Sequence, residues 1–106
     1  MFRDFLFAYI LEYANVLDMS LKELCRAFGN PVRVQIVVCL SHEATVSELL
    51  GKCTLSQSAL SQHLAILREA RIVKTKERGR YIYYKIADKR YIHLARTLLL
   101  ITKMAK

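Results

Sequence analysis

Past Arg71 the spacing of apolar residues switches from the helical period to a period of two, directly behind two helices joined by a short turn. Few folds accept that order, and the residues that produce it are specific. Thr45 and Glu48 form a capping box that opens a short helix over Val46–Gly51. Lys52–Leu55 is a tight connection, and Ser56 caps a second helix running through Arg68. Leu60, Leu64 and Leu67 recur on one side of that helix as its inward stripe. Next, Ile72–Lys76 and Tyr81–Ile86 flank Glu77-Arg78-Gly79-Arg80, which reads as a β-hairpin with Gly79 in its turn. Alternation puts Ile82, Tyr84 and Ile86 on the packed face and Tyr81, Tyr83 and Lys85 on the other.

The flanking segments are helical. Phe2, Phe5, Leu6, Tyr9, Tyr13, Val16 and Leu17 form one apolar stripe over residues 2–18. Ser20 and Glu23 read as a capping box that restarts a helix through Phe28, where Gly29 ends it. Asn30 caps and Pro31 opens a third helix, Val32–Leu40, apolar nearly all round and so expected at the centre. Asp88 is the expected N-cap of a last helix with Tyr91, Leu94, Leu98 and Ile101 along one side. The expected fold is mainly α with a β-hairpin wing, a winged helix-turn-helix of order α-α-α-α-α-β-β-α.

At 106 residues this reads as one domain, residues 1–106. A chain of which 54% is hydrophobic carries more apolar surface than so small a core hides, which predicts a partner subunit. The helices at 1–18 and 88–106 are the expected dimerisation helices. The apolar start is broken by Arg3, Asp4 and Glu12 with no small-residue cleavage site behind it, so no secretory signal is read. No apolar run is long enough to span a bilayer. The N-terminal stripe lacks the Lys/Arg-rich polar face of a membrane-surface helix, so no membrane partner is expected. Three cysteines cannot all pair within one chain, which fits a reducing cytoplasm.

Charge is unevenly placed. Residues 1–55 hold five Lys/Arg against six Asp/Glu, whereas residues 56–90 hold nine against three. Such a basic block in a folded segment suits a polyanion, the other reading being a solvated face. The pattern within the block favours double-stranded DNA. Ser56, Gln57, Ser58, Ala59, Ser61, Gln62 and His63 open the second helix with short or amide side chains that fit base edges in a major groove. Arg68 follows on the same helix. Lys76, Arg78, Arg80 and Tyr81 crowd the hairpin, whose basic stretch 74–85 is placed to reach phosphates or a minor groove. No nucleophile–base pair, metal triad or phosphate loop occurs at workable spacing, so neither an enzyme nor a cofactor is expected.

Leu55–Ala70, with its core SQSALSQHL, closely resembles the recognition-helix motif of the ArsR/SmtB-type repressors. Phe28–Ile36 matches that family's ALANPxRLxIL pattern, and Arg78–Ile86 matches its wing. The resemblance covers about residues 21–90. It implies a homodimeric repressor occluding a palindromic operator, with the first and last helices at the dimer interface. It also implies operator contacts by Gln57, Ser58, Ser61, Gln62 and His63.

The departures concern the signal. Metal-sensing members carry Cys-x-Cys on the helix before the recognition helix, and Thr45–Leu50 has no cysteine. Others bind zinc on the last helix, where Asp88 matches the first ligand but Arg90, Ile101 and Met104 stand at the rest. No metal is therefore expected. The wording is nearer a non-metal branch, part of which senses oxidants or sulfur species through one cysteine on the central helix and one on the last. Cys39 sits one residue off the first position, and Asp88–Lys106 contains none. Cys25 and Cys39 are the candidate redox residues, pairing only if their helices abut. Cys39 and His42 stand at Cys-x-x-His spacing and with Cys53 would make only a partial zinc site; His42 and His93 read as structural or solvent-exposed. Two alternatives stay open: a redox- or metal-responsive derepressor drawing on Cys25, Cys39 and Cys53, and an interaction dimer that reads no operator.

Overall fold

Gly29, Asn30 and Pro31 make the first break in the helical backbone of the computed structural model, which describes the backbone of residues 2–104 and the side chains of 3–8 and 21–103. Before the break lies α1 (Phe2–Phe28) and after it α2 (Pro31–Cys39), α3 (Val46–Lys52), α4 (Gln57–Glu69), β1 (Val73–Arg78), β2 (Tyr81–Ile86) and α5 (Lys89–Met104). The restart expected at Ser20 does not occur, so one helix replaces the two expected before Gly29 and the rest of the order stands. The segment contains neither Gly nor Pro, and a serine inside a helix costs only about 0.5 kcal/mol relative to alanine. A capping side chain helps only where the backbone already leaves the helix. Of the stripe residues, Phe5 and Leu6 are exposed, while Phe2, Tyr9, Tyr13, Val16 and Leu17 lie outside the described side chains.

The caps behave as their residue types dictate. Asn30 Oδ1 accepts from the backbone N–H of Val32 and Arg33, and Thr45 and Glu48 complete the reciprocal capping box of α3. Ser56 Oγ accepts from Ala59 N at 3.1 Å to open α4. That helix ends in a Schellman motif: Ile72 N donates to Leu67 O and Arg71 N to Arg68 O. The residue in the left-handed position is Arg71, at φ 61°, where glycine is the usual occupant.

One core joins the elements. α2 supplies Ile36 and Val37 and its C-cap Leu40, α3 supplies Leu49, α4 supplies Leu60, Leu64 and Leu67, and Ile72 and Val73 lead into the hairpin. Each contributes about 1.5–3 kcal/mol by leaving water. The strands pair antiparallel from Val73 opposite Ile86 to Arg78 opposite Tyr81, leaving a two-residue turn at Gly79-Arg80. Gly79 has φ 63°, the conformation demanded of the first turn residue when the strands carry their natural twist. A bridge between Ala44 and Tyr84, with N–H···O distances of 3.0 and 2.8 Å, ties the hairpin to the α2–α3 loop.

Two faces differ from expectation. Tyr84 and Ile86 pack on the core, but Ile82 is 46% exposed, because the hairpin runs beyond the last core residue before it turns. On α5 the inward side is Tyr91, Ile92, Ala95 and Leu99, with Tyr91 against Phe28. The expected stripe is split: Leu94, Leu98 and Ile101 stay exposed on another side. α5 is apolar on more than one face, and periodicity cannot tell which one meets its own chain.

Candidate nucleic-acid interface

α4 is held by its buried leucines, and the opposite face is set by that burial. With Leu60, Leu64 and Leu67 inward, Ser56, Gln57, Ser58, Ser61, Gln62 and Arg68 stand exposed on and around the first turns and at the end of the helix. Ala59 is half-buried at the edge of this surface. The structure therefore brings the polar residues singled out from sequence onto one presented face.

His63 is the exception. It is half-buried, and its Nδ1 lies 3.3 Å from Arg33 Nη1. Arg33 in turn donates from Nε to Ala27 O at 2.9 Å and from Nη2 to Arg26 O at 3.0 Å, capping the last turn of α1. A guanidinium only donates, so Nδ1 is the acceptor and the neutral ring carries its proton on Nε2. Arg33 thus ties the end of α1 to the middle of α4. Reading the sequence missed this role, although a signal existed: a cation in the first turn of α2 opposes that helix's dipole and needs another partner.

The hairpin divides its basic residues. Arg78 is ion-paired with Glu43 and lies 4.3 Å from the centre of the Tyr83 ring. Lys76, Arg80 and Tyr81 are exposed, with Tyr81 at 62%. The outward basic tip is therefore Lys76 and Arg80, while Arg78 braces the hairpin against the α2–α3 loop. Glu43 had no sequence signal, since its partner is 35 residues away along the chain.

The cysteines are not arranged as expected. Cys25 is exposed on α1, and Cys39 faces Cys53 with Sγ atoms 4.0 Å apart. Burial, reinforced by the neighbouring Cys39, pushes the Cys53 thiol pKa up. No group of three or more His, Cys, Asp or Glu side chains able to hold a metal occurs among the described residues, so Cys39, His42 and Cys53 do not assemble as one. Asp88 accepts from Arg90 N at 2.9 Å and from the Arg90 guanidinium, whose Nη2 is 2.7 Å from Oδ2. Hydrogen bonds from Arg90 hold its carboxyl down at about 2. Among the described residues no helix is long and apolar enough to cross a membrane.

Comparison with known proteins agrees with this geometry. A family model described as bacterial regulatory protein, arsR family, matches residues 30–75, from the cap of α2 into β1. The transcriptional activator HlyU of Vibrio cholerae is 42% identical over 66 residues, covering 61% of this chain and 61% of that protein. The HTH-type transcriptional repressor SmtB of Mycobacterium tuberculosis is 38% identical over 81 residues, covering 76% of this chain and 59% of its own length. The chain thus spans about three fifths of these curated relatives. Among solved structures, the transcriptional repressor BigR from Xylella fastidiosa superposes with a TM-score of 0.71 at 30% identity, covering 85% of this chain and 93% of that one. HlyU from Vibrio vulnificus gives 0.68 at 34%, covering 86% and 96%.

Proposed function

The chain belongs to the ArsR family of bacterial regulatory proteins, whose named relatives are transcriptional regulators and not enzymes, and on that premise we propose that it is a dimeric, sequence-specific DNA-binding repressor. The observation that carries the reading is the presented face of α4. Gln57, Ser58, Ser61 and Gln62 are exposed together on a helix whose other side is locked into the core. Two such helices, related by a two-fold axis and about 34 Å apart, would enter successive major grooves of a palindromic operator and occlude a promoter. Gln57 and Gln62 suit adenine edges, and the small Ser58 and Ser61 permit close approach. Lys76 and Arg80 of the hairpin supply contacts to phosphates or the minor groove.

The partner subunit is inferred from apolar surface. Phe5 and Phe7 near the start of α1 and Leu94, Leu98, Leu100 and Ile101 on α5 are all more than a third exposed. A second copy covering them would place the first and last helices in the interface, which fits 1–18 and 88–106 as the dimerisation segments.

Selection of bound sites from random duplex tests the reading directly. A palindrome should emerge, with affinity falling steeply as salt rises. Equal retention of all sequences would sink operator reading. One relative is named an activator, so a promoter fusion decides the sign of regulation: reporter output should fall when the protein is present.

A further inference from the structure

Where α2 ends and the turn between α3 and α4 begins, two cysteines face one another. Cys39 is the last residue of α2 and Cys53 is the C-cap of α3. Both are half-buried free thiols, with Sγ atoms 4.0 Å apart. We propose that Cys39 and Cys53 are an oxidation site: a hydroperoxide converts them to an intramolecular disulfide, and the bridge weakens operator binding by drawing the helix-turn-helix connection toward α2. The second half of this inference rests on the operator reading above.

The chemistry balances with the peroxide as the only co-reactant. One sulfur, as thiolate, attacks the O–O bond; it becomes a sulfenic acid and the alcohol or water departs. The second sulfur then attacks the sulfenic sulfur, an S–S bond forms, and hydroxide leaves to be protonated to water. Two thiols and one hydroperoxide give one disulfide, one alcohol and one water, with two electrons passing from the sulfurs to the peroxide oxygens.

The consequence follows from what each cysteine is attached to. A disulfide needs an S–S distance of about 2.05 Å, so the pair must close by roughly half its present separation. α2 cannot easily follow, because Ile36, Val37 and Leu40 are at most 1% exposed in a close-packed core. Cys53 is freer. It ends α3, and only Thr54 and Leu55 separate it from Ser56, the cap on which α4 begins. Movement at Cys53 therefore passes to the first turn of α4, where Gln57 and Ser58 stand. Cys25 is an exposed free thiol on α1. Burial and the neighbouring Cys39 raise the pKa of the Cys53 thiol, so bridging through the Cys53 thiolate should accelerate as pH rises.

The test treats the full chain with hydrogen peroxide and scores two things separately. Intact mass should fall by two hydrogens, and peptide mapping should join the Cys39 peptide to the Cys53 peptide while Cys25 remains free to alkylate. Affinity for the selected operator should drop about tenfold or more, within the usual range of coupling between sites, and return with dithiothreitol. C39S and C53S should each bind like the reduced protein and ignore peroxide, whereas C25S should respond as the parent does. If one serine variant melts early, the other carries the comparison. Absence of the Cys39–Cys53 linkage, or a linkage through Cys25 between chains, overturns the site. A bridge that leaves operator affinity unchanged overturns the switch. If the reduced protein selects no sequence while the bridge still forms, operator reading has failed and the switch with it, but the oxidation site stands.

Discussion

Arg33 ties the end of α1 to the middle of α4, behind the face that α4 presents. It holds two carbonyls of α1 and the Nδ1 of His63 with one guanidinium. Arg33→Ala removes these charged donors and should lower unfolding stability by about 1.5–3 kcal/mol, read from urea titration. Arg33→Lys should recover only part, because an ammonium has no planar fork to divide among them. Nitrogen-15 spectra of the His63 ring give the sharper reading: the Nε2–H tautomer in the parent, a mixture in Arg33→Ala. A parent spectrum dominated by Nδ1–H would refute the assignment. Asp88 makes a pH prediction. Its folded pKa of about 2 lies below the ordinary carboxylate value, so its cap on α5 holds above that ordinary value and is lost as pH falls toward 2. A proton-NMR titration of Asp88 should show its midpoint near 2, and Asp88→Asn should flatten the acid response of the first turn of α5. Asp88 was legible from the sequence as a cap. Its pairing with Arg90 lies two residues along the chain, within the same turn.

Among the elements, α4 and the hairpin show where local rules suffice and where they stop. Ser56→Ala should cost about 1 kcal/mol, the usual worth of an N-cap hydroxyl. Arg71→Gly should gain about 1 kcal/mol, since the left-handed C′ position strains any residue with a Cβ. Thermal unfolding checks both, and a lower Tm for Arg71→Gly would show that its side chain does more than tolerate the turn. For recognition, Q57A, S58A and Q62A combined should erase preference for the selected palindrome and leave weak, salt-dependent binding to any duplex. The caps, the inward leucines and the Gly79 turn were readable because each depends on residues within one turn or one hairpin. The α1 break at Ser20 was misread for the same locality: a capping signature has no effect where nothing else ends the helix. Ile82 and the outer side of α5 were misassigned because alternation defines faces, not which face finds a core.

For the whole molecule, the basic half and the apolar surface make separate demands. Lys76 and Arg80 replaced by Ala should reduce affinity on all duplexes alike and flatten the salt dependence, as phosphate contacts do. L98E, introducing a charge at the exposed side of α5, should give a monomer by sedimentation and lose tight operator binding while the subunit stays folded. A dimer that survives L98E would move the interface elsewhere. Sequence by itself determined the helix-turn-helix, the hairpin behind it, the polar opening of α4 and the sign of the charge there. All of these rest on residue spacing and side-chain chemistry within short stretches. Only the tertiary structure decided that Arg33 reaches His63, that Arg78 is spent on Glu43, and that Cys39 meets Cys53 instead of Cys25. Those contacts join residues 14 to 35 positions apart. They exist because burying one leucine-rich core fixes how the helices cross, and no local pattern records that crossing. The period change behind the two helices named the fold; the packing beneath them chose which side chains are presented on α4, which brace the hairpin and which thiols meet.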